Sequence, residues 1–277
     1  MQASPSRPLI SVEELAGLVA GEDCSVLDVR YQMGGPSGPD EYAAGHVPGA
    51  AYVDLDTALA AAPGPRGRHP LPEVAVFEEA MRAAGVRDDL PVVVYDDWAG
   101  RAAARCWWLL RWAGHRDVRV LDGGWSSWVD GGHPVSTEPV APPLGDFTAR
   151  PGQLPVLEAD DVLDFAAAHV LVDARAPERF RGEVEPVDPV AGHIPGAVNV
   201  PTGANLRDDG RFRSAAELAE VYAAAREQET AAYCGSGVTA VHDILAMAVA
   251  GIDATLYPGS WSEWVADPGR PVATGDR

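Results

Sequence analysis

The chain is written twice. Asp28-Val-Arg30 recurs as Asp173-Ala-Arg175, and GHVPGA at 45–50 recurs as GHIPGA at 192–197. In the same order, Tyr95 answers to Tyr233, Ala113-Gly114 to Ala250-Gly251, and GGWSSW at 123–128 to GSWSEW at 259–264. Chance supplies one such match, not a whole series in register, so the chain is two copies of one folding unit. Between them runs a proline-dense stretch, with Pro134, Pro139, Pro142, Pro143, Pro151 and Pro155. Proline fixes φ and removes an amide donor, so a regular element is excluded there and an extended linker is expected. The expected domains are therefore 1–135 and 156–277, joined by a linker over 136–155.

Each copy reads as alternating helices and strands. Ser11 with Glu14 three residues on forms a capping-box signature, and the helix it opens should end near Gly21. The apolar runs SVLDV at 25–29, PVVVY at 91–95, HVLVDA at 169–174 and TAAYC at 230–234 suit buried strands. From Val238 onward, Val241, Ile244, Leu245, Ala248 and Val249 fall at helical spacing, and Gly251 closes the element. The expected fold class is α/β: two tandem domains, each a mainly parallel sheet covered by helices on both faces. In such folds sites form at the carboxyl ends of strands, which directs attention to the turn after Tyr233.

Charge limits the partners. The chain has 21 basic and 41 acidic residues, giving a formal net charge of -20, and every basic residue is arginine. A surface this acidic repels nucleic-acid phosphates and anionic membranes, so neither is an expected partner. The absence of lysine excludes Schiff-base chemistry and a Walker-type phosphate lysine. No apolar run approaches a membrane span, and MQASPSRPLI lacks the charged start and apolar run of a signal peptide, so the expected address is the cytoplasm. Cys24, Cys106 and Cys234 are too few and too scattered for a disulfide framework or a zinc cluster; the acidic residues show no metal-ligand spacing, and no cofactor is expected.

Cys234 stands apart from the other two thiols. It ends a strand and precedes Gly235-Ser236-Gly237, a loop able to turn its amides toward one point just before a helix begins. Such a cradle favours a thiolate and holds an anion. The matching turn of the first copy reads Tyr95-Asp96-Asp97-Trp98-Ala99-Gly100, with aspartate in place of cysteine. One half reads as catalytic and the other does not. His46 and His193 occupy equivalent places in both halves, which marks them as architectural, and Trp107, Trp108 and Trp112 on one helix read as core.

Two copies carrying GH(V/I)PGA and a GSWxEW-like end, with Cys234-Gly-Ser-Gly-Val-Thr239 in the second copy only, resemble the two-domain rhodanese-type sulfurtransferases, closest to the 3-mercaptopyruvate branch. The likeness covers nearly the whole chain. It implies a persulfide relay: the Cys234 thiolate takes sulfur from a small anionic donor and passes it to a thiol, cyanide or a thioredoxin-like protein, without metal or cofactor. Thiosulfate enzymes of the family carry basic residues directly after the cysteine, whereas the mercaptopyruvate branch carries Gly-Ser-Gly, as at 235–237 here. The resemblance further implies that Ser236, His69 and Asp56 act as a set, and that Gly235, Ser236, Gly237, Val238 and Thr239 line the donor site. Arg179 matches the family's substrate-binding arginine. A second family arginine has no counterpart, because the aligned residue is Val187.

Competing readings are a thiosulfate sulfurtransferase and a sulfur carrier or interaction module that does not turn over. A cysteine phosphatase needs an arginine six positions after the cysteine, and position 240 is alanine.

Overall fold

The structure, a computed structural model, describes residues 7–276; residues 1–6, part of the segment read for a signal peptide, lie outside the described residues. The chain divides into two compact units. Of the described residues, the first takes 7–60, then Pro72–Gln153 and Asp209–Arg211; the second takes Ala61–Leu71, Leu154–Asp208 and 212–276.

The first unit contains β1 (Leu9–Ile10), α1 (Val12–Gly21), β2 (Ser25–Asp28), α2 (Gly38–Ala44), β3 (Ala51–Tyr52), α3 (Leu55–Ala58), α4 (Val74–Ala83), β4 (Val92–Tyr95), α5 (Arg101–Trp112), β5 (Val118–Leu121) and α6 (Gly124–Asp130). Its strands form one parallel sheet in the order β1-β5-β4-β2-β3. The central strand β4 is buried at every position, as expected when both faces are covered. The Ser11 capping box forms as read, the Ser11 Oγ accepting from the Glu14 amide and the Glu14 carboxylate from the Ser11 amide.

The second unit repeats the plan with α7 (Val162–Ala168), β6 (Val170–Asp173), α8 (Pro177–Phe180), β7 (Val198–Asn199), α9 (Ala215–Val221), β8 (Thr230–Tyr233), α10 (Ala240–Val249), β9 (Thr255–Leu256) and α11 (Ser260–Trp264). The sheet order is β7-β6-β8-β9, all parallel, and the counterpart of β1 is reduced to a single bridge between Val156 and Leu256. Tyr233, Tyr257, Trp261 and Trp264 lie in its core.

The repeated motifs prove to be one frame built twice. Arg30 chelates the buried Asp28 and donates to the Gly45 carbonyl, and Arg175 does the same with Asp173 and Gly192. Each guanidinium lies against the first tryptophan of the double-tryptophan motif, 4.7 Å from Trp125 and 4.5 Å from Trp261. Removing one partner would strand a buried charge, a loss of about 3–5 kcal/mol. His46 and His193 are fully buried, each sharing a hydrogen bond from Nδ1 to a backbone carbonyl, of Tyr42 and Phe180 respectively. Trp107 and Trp108 are buried on α5, with Trp112 stacked against Trp108.

Two expectations need correction. The proline-rich stretch has no regular element, but it is not a free linker: up to Gln153 it belongs to the first unit. The Gly145, Phe147, Arg150 and Gln153 amides donate to the Arg82, Val86, Ala113 and Trp112 carbonyls, and Phe147 is fully buried. Proline forbids a ladder but leaves the intervening amides free to pair with the surface they cross. Secondly, residues 61–71, inside the expected first domain, pack as part of the second unit, and the short segment 209–211 packs with the first.

Candidate active site

β8 carries the chain through the second unit's core and releases it at Cys234, whose residue is 1% exposed. The turn is fixed at three points. The Cys234 amide donates to Ser260 Oγ (3.1 Å), and the Cys234 and Gly235 carbonyls accept from the Trp261 and Ser262 amides, 2.9 Å each. Ser260 is itself held at a positive φ of 55° with its hydroxyl donating to the Tyr257 carbonyl. At Gly237 the backbone takes φ 77°, and a Cβ there would lie 2.3 Å from the Pro258 carbonyl oxygen, so only glycine fits. That conformation turns the Gly237 amide back onto the thiol, N to Sγ 3.1 Å. An N–H aimed at sulfur stabilises thiolate and persulfide alike.

Ser236, next in the loop, is nearly buried and shares a hydrogen bond with His69, Nδ1 to Oγ 2.7 Å. His69 reaches it from the 61–71 strap. The strap turns on itself through the Gly64 and Gly67 backbones, and the Arg68 amide donates to Ser262 Oγ (3.1 Å). Gly67, at φ 100°, approaches so closely that a Cβ would meet the Gly259 carbonyl at 2.8 Å and Ser262 Oγ at 2.9 Å. His69 and Ser236, both candidates from the sequence, are thus in contact.

Two guanidiniums border the loop. A Cβ on Gly235 would come 2.9 Å from Arg68 Nη2 and 3.7 Å from Arg179 Nη1 and Nη2. Arg179, on α8, donates to Glu185 through Nε and Nη2 and to Asp188 through Nη2, while Arg68 Nη1 donates to the other Asp188 oxygen. Burial pushes the Asp188 carboxyl up, with Arg68 opposing it. Burial acts upward on Glu185 too, but there Arg179 and the Asp188 and Val187 amides outweigh it and hold the carboxyl below its ordinary value. Neither carboxylate, nor Arg68, nor Ser260 was singled out from sequence. The one available signal was that Arg68 adjoins His69 and Asp188 adjoins Val187.

The remaining sequence candidates divide. Val187 is exposed and contributes no cation, as read. Val238 is buried, its side chain part of the core, and Thr239 offers its carbonyl to the His242 amide. Asp56 lies in the first unit, exposed on α3, its carboxyl raised by burial and then by Asp54. Cys24 is pushed up to about 11 by burial and then by Asp23, and burial raises Cys106 further. Burial thus disfavours the thiolate at both.

The chain matches the rhodanese-like domain family over residues 11–130 and again over 157–267. SseB of Mycobacterium tuberculosis, named provisionally as a thiosulfate sulfurtransferase, is 47% identical over 277 residues, covering 96% of this chain and 97% of that protein. A Pseudomonas aeruginosa protein named provisionally as a 3-mercaptopyruvate sulfurtransferase is 44% identical over 288 residues, covering 98% and 99%. The crystal structure of SseA from Escherichia coli, a 3-mercaptopyruvate enzyme with the rhodanese fold, superposes with a TM-score of 0.82 at 32% identity, over 93% of this chain and 100% of that one.

Proposed function

This chain belongs to the rhodanese-like family, and from that membership we propose that its second domain moves a sulfane sulfur from 3-mercaptopyruvate to a thiol, cyanide or thioredoxin-like acceptor through a persulfide on Cys234. The protein is a sulfurtransferase; its relatives share that activity by name and divide over the donor.

In the first half-reaction the Cys234 thiolate attacks the donor sulfur. A sulfur–sulfur bond forms, the carbon–sulfur bond breaks, and its electron pair remains on carbon as the enolate of pyruvate, which takes up a proton. In the second, an acceptor thiolate or cyanide attacks the outer sulfur, and the electron pair of the sulfur–sulfur bond returns to Cys234. Backbone amides facing the sulfur stabilise both anionic states. The enolate needs a proton or hydrogen-bond donor, and a hydroxyl coupled to imidazole meets that need.

The observation that supports mercaptopyruvate is the 2.7 Å contact between Ser236 Oγ and His69 Nδ1, one residue from the amide that faces the thiol. Thiosulfate leaves as sulfite, a stable anion, and has no use for such a pair. Arg179 is the donor-binding cation in this reading, and the amides of 235–239 line the site. Asp56 enters through the family resemblance alone. A thiol or thioredoxin-like acceptor must be reduced to act, and on that ground we place the protein in the cytoplasm.

Two measurements test this. With purified protein and matched acceptor, kcat/KM for mercaptopyruvate is expected to exceed that for thiosulfate; the reverse overturns the donor assignment. His69→Ala should lower kcat with mercaptopyruvate by about 10²-fold, and change thiosulfate turnover much less. Adding Asp56→Ala should then cost little more, since groups acting as a unit are not additive. Equal losses with both donors would assign His69 to binding or to holding the strap. A carrier would stop after one equivalent of sulfur.

A further inference from the structure

We propose that Arg68 is a donor-binding residue: with Arg179 it takes the donor's carboxylate, supplying from the 61–71 strap the cation that other members of the family place where this chain has Val187. The inference rests on the reading of the Cys234 loop as the donor site.

Its ground is the hydrogen-bond inventory of one guanidinium. Arg68 Nη1 is spent on Asp188. Nε is buried and has no hydrogen-bond partner, and Nη2 is the atom nearest to position 235, 2.9 Å from where a Cβ would stand. Nε and Nη2 form the edge of the guanidinium that matches a carboxylate with two parallel bonds. A buried, charged N–H left without an acceptor is unfavourable, and an anion placed at this edge removes the deficit. The free edge therefore lies beside the residue that follows the nucleophile.

The support around it is rigid. Asp188, its side chain 3% exposed, holds Arg68 by one oxygen and Arg179 by the other, so one buried carboxylate sets the spacing of two cations. Glu185 takes Nε and Nη2 of Arg179, which leaves that residue's Nη1 toward position 235. Arg68 is pinned at its backbone by Ser262, the residue whose own amide holds the Gly235 carbonyl. Gly235 has no side chain to stand between the guanidiniums, and any Cβ would fill the space a carboxylate needs.

The test is a KM-against-kcat split in Arg68→Ala and Arg68→Lys, each alone and with Val187→Arg. Arg68→Ala should raise KM for mercaptopyruvate about tenfold or more, with a smaller change in kcat. Arg68→Lys keeps a charge without the fork and should fall between. Val187→Arg in the Arg68→Ala background should bring KM back toward the starting value. Pyruvate, which carries the carboxylate and no transferable sulfur, probes the site without turnover: its Ki as a competitive inhibitor should rise in parallel with KM. If the native protein prefers thiosulfate, the donor reading fails, while KM for thiosulfate and the pyruvate Ki still decide on Arg68. KM and Ki within about twofold of the native values in both variants, or a fall in kcat alone, would overturn the proposal.

Discussion

The turns after β4 and β8 share one frame and differ in what fills it. In the first unit the residue that follows the strand is Asp96, whose carbonyl accepts from the Trp125 amide at 2.8 Å; in the second it is Cys234, whose carbonyl accepts from Trp261 at 2.9 Å. The Asp96 carboxylate gathers the turn's own amides, Oδ1 from Trp98 (2.9 Å) and Gly100 (2.8 Å), Oδ2 from Ala103 (2.8 Å). At Cys234 the sulfur accepts from Gly237 (3.1 Å). A turn that aims N–H groups at one point calls for an anion there. The first unit places a carboxyl there, pushed up by burial and pulled down by those amides, whereas the second places a sulfur. The turns match, and the residue that follows the strand differs.

Exchanging the two residues' roles gives the largest expected effect. Cys234→Ser should lower turnover on the order of 10³-fold or more and abolish the single added sulfur seen by intact-mass measurement after donor treatment. Sulfur persisting in that variant, or mapping to Cys24 or Cys106, would break the comparison at its catalytic side.

The first unit should answer in stability rather than activity. Asp96→Ala leaves the buried Gly100 and Ala103 amides and the partly buried Trp98 amide without their acceptor, a loss of roughly 3 kcal/mol. Asp96→Asn keeps one oxygen for the Trp98 and Gly100 amides but turns an N–H against Ala103, and should lie between. Thermal unfolding followed by circular dichroism checks both; an unaltered melting temperature for Asp96→Ala would mean that the carboxylate is not what closes this turn.

The smallest effect separates the site thiol from its neighbours by pH. Burial holds Cys24 as a thiol up to about 11 and Cys106 higher still, so iodoacetamide at pH 8 should spare both. Labelling of Cys24 should appear only as pH rises toward that value, when the thiolate becomes populated. Peptide mapping that found Cys24 alkylated at pH 8 would remove the contrast.

Much of the second turn was legible because its signals are local. A strand run, a cysteine, two glycines and a helical period stand within 230–249, and the loop's shape follows from residues adjacent in sequence. Local too were the Ser11 capping box and the strand positions. The capping box of Ser214 and Glu217 at α9 carries the same signature. The cations were harder: an arginine on an acidic chain reads as solvated until its neighbours are known, and Arg68 and Asp188 stand 120 residues apart.

By itself the sequence determined that this protein is one α/β unit made twice and that only the second copy has a cysteine at this turn. Both are matters of order along the chain: repeated motifs, periodicity, and the exchange of Asp96 for Cys234. Tertiary structure alone decided which stretches complete each unit. Residues 61–71, written within the first copy, close on the second and bring His69 to Ser236 across 167 residues. No pattern marks such a meeting, because closing a long loop costs chain entropy that depends only weakly on its length, and what holds it are scattered contacts at Gly67, Arg68 and His69 with no period of their own.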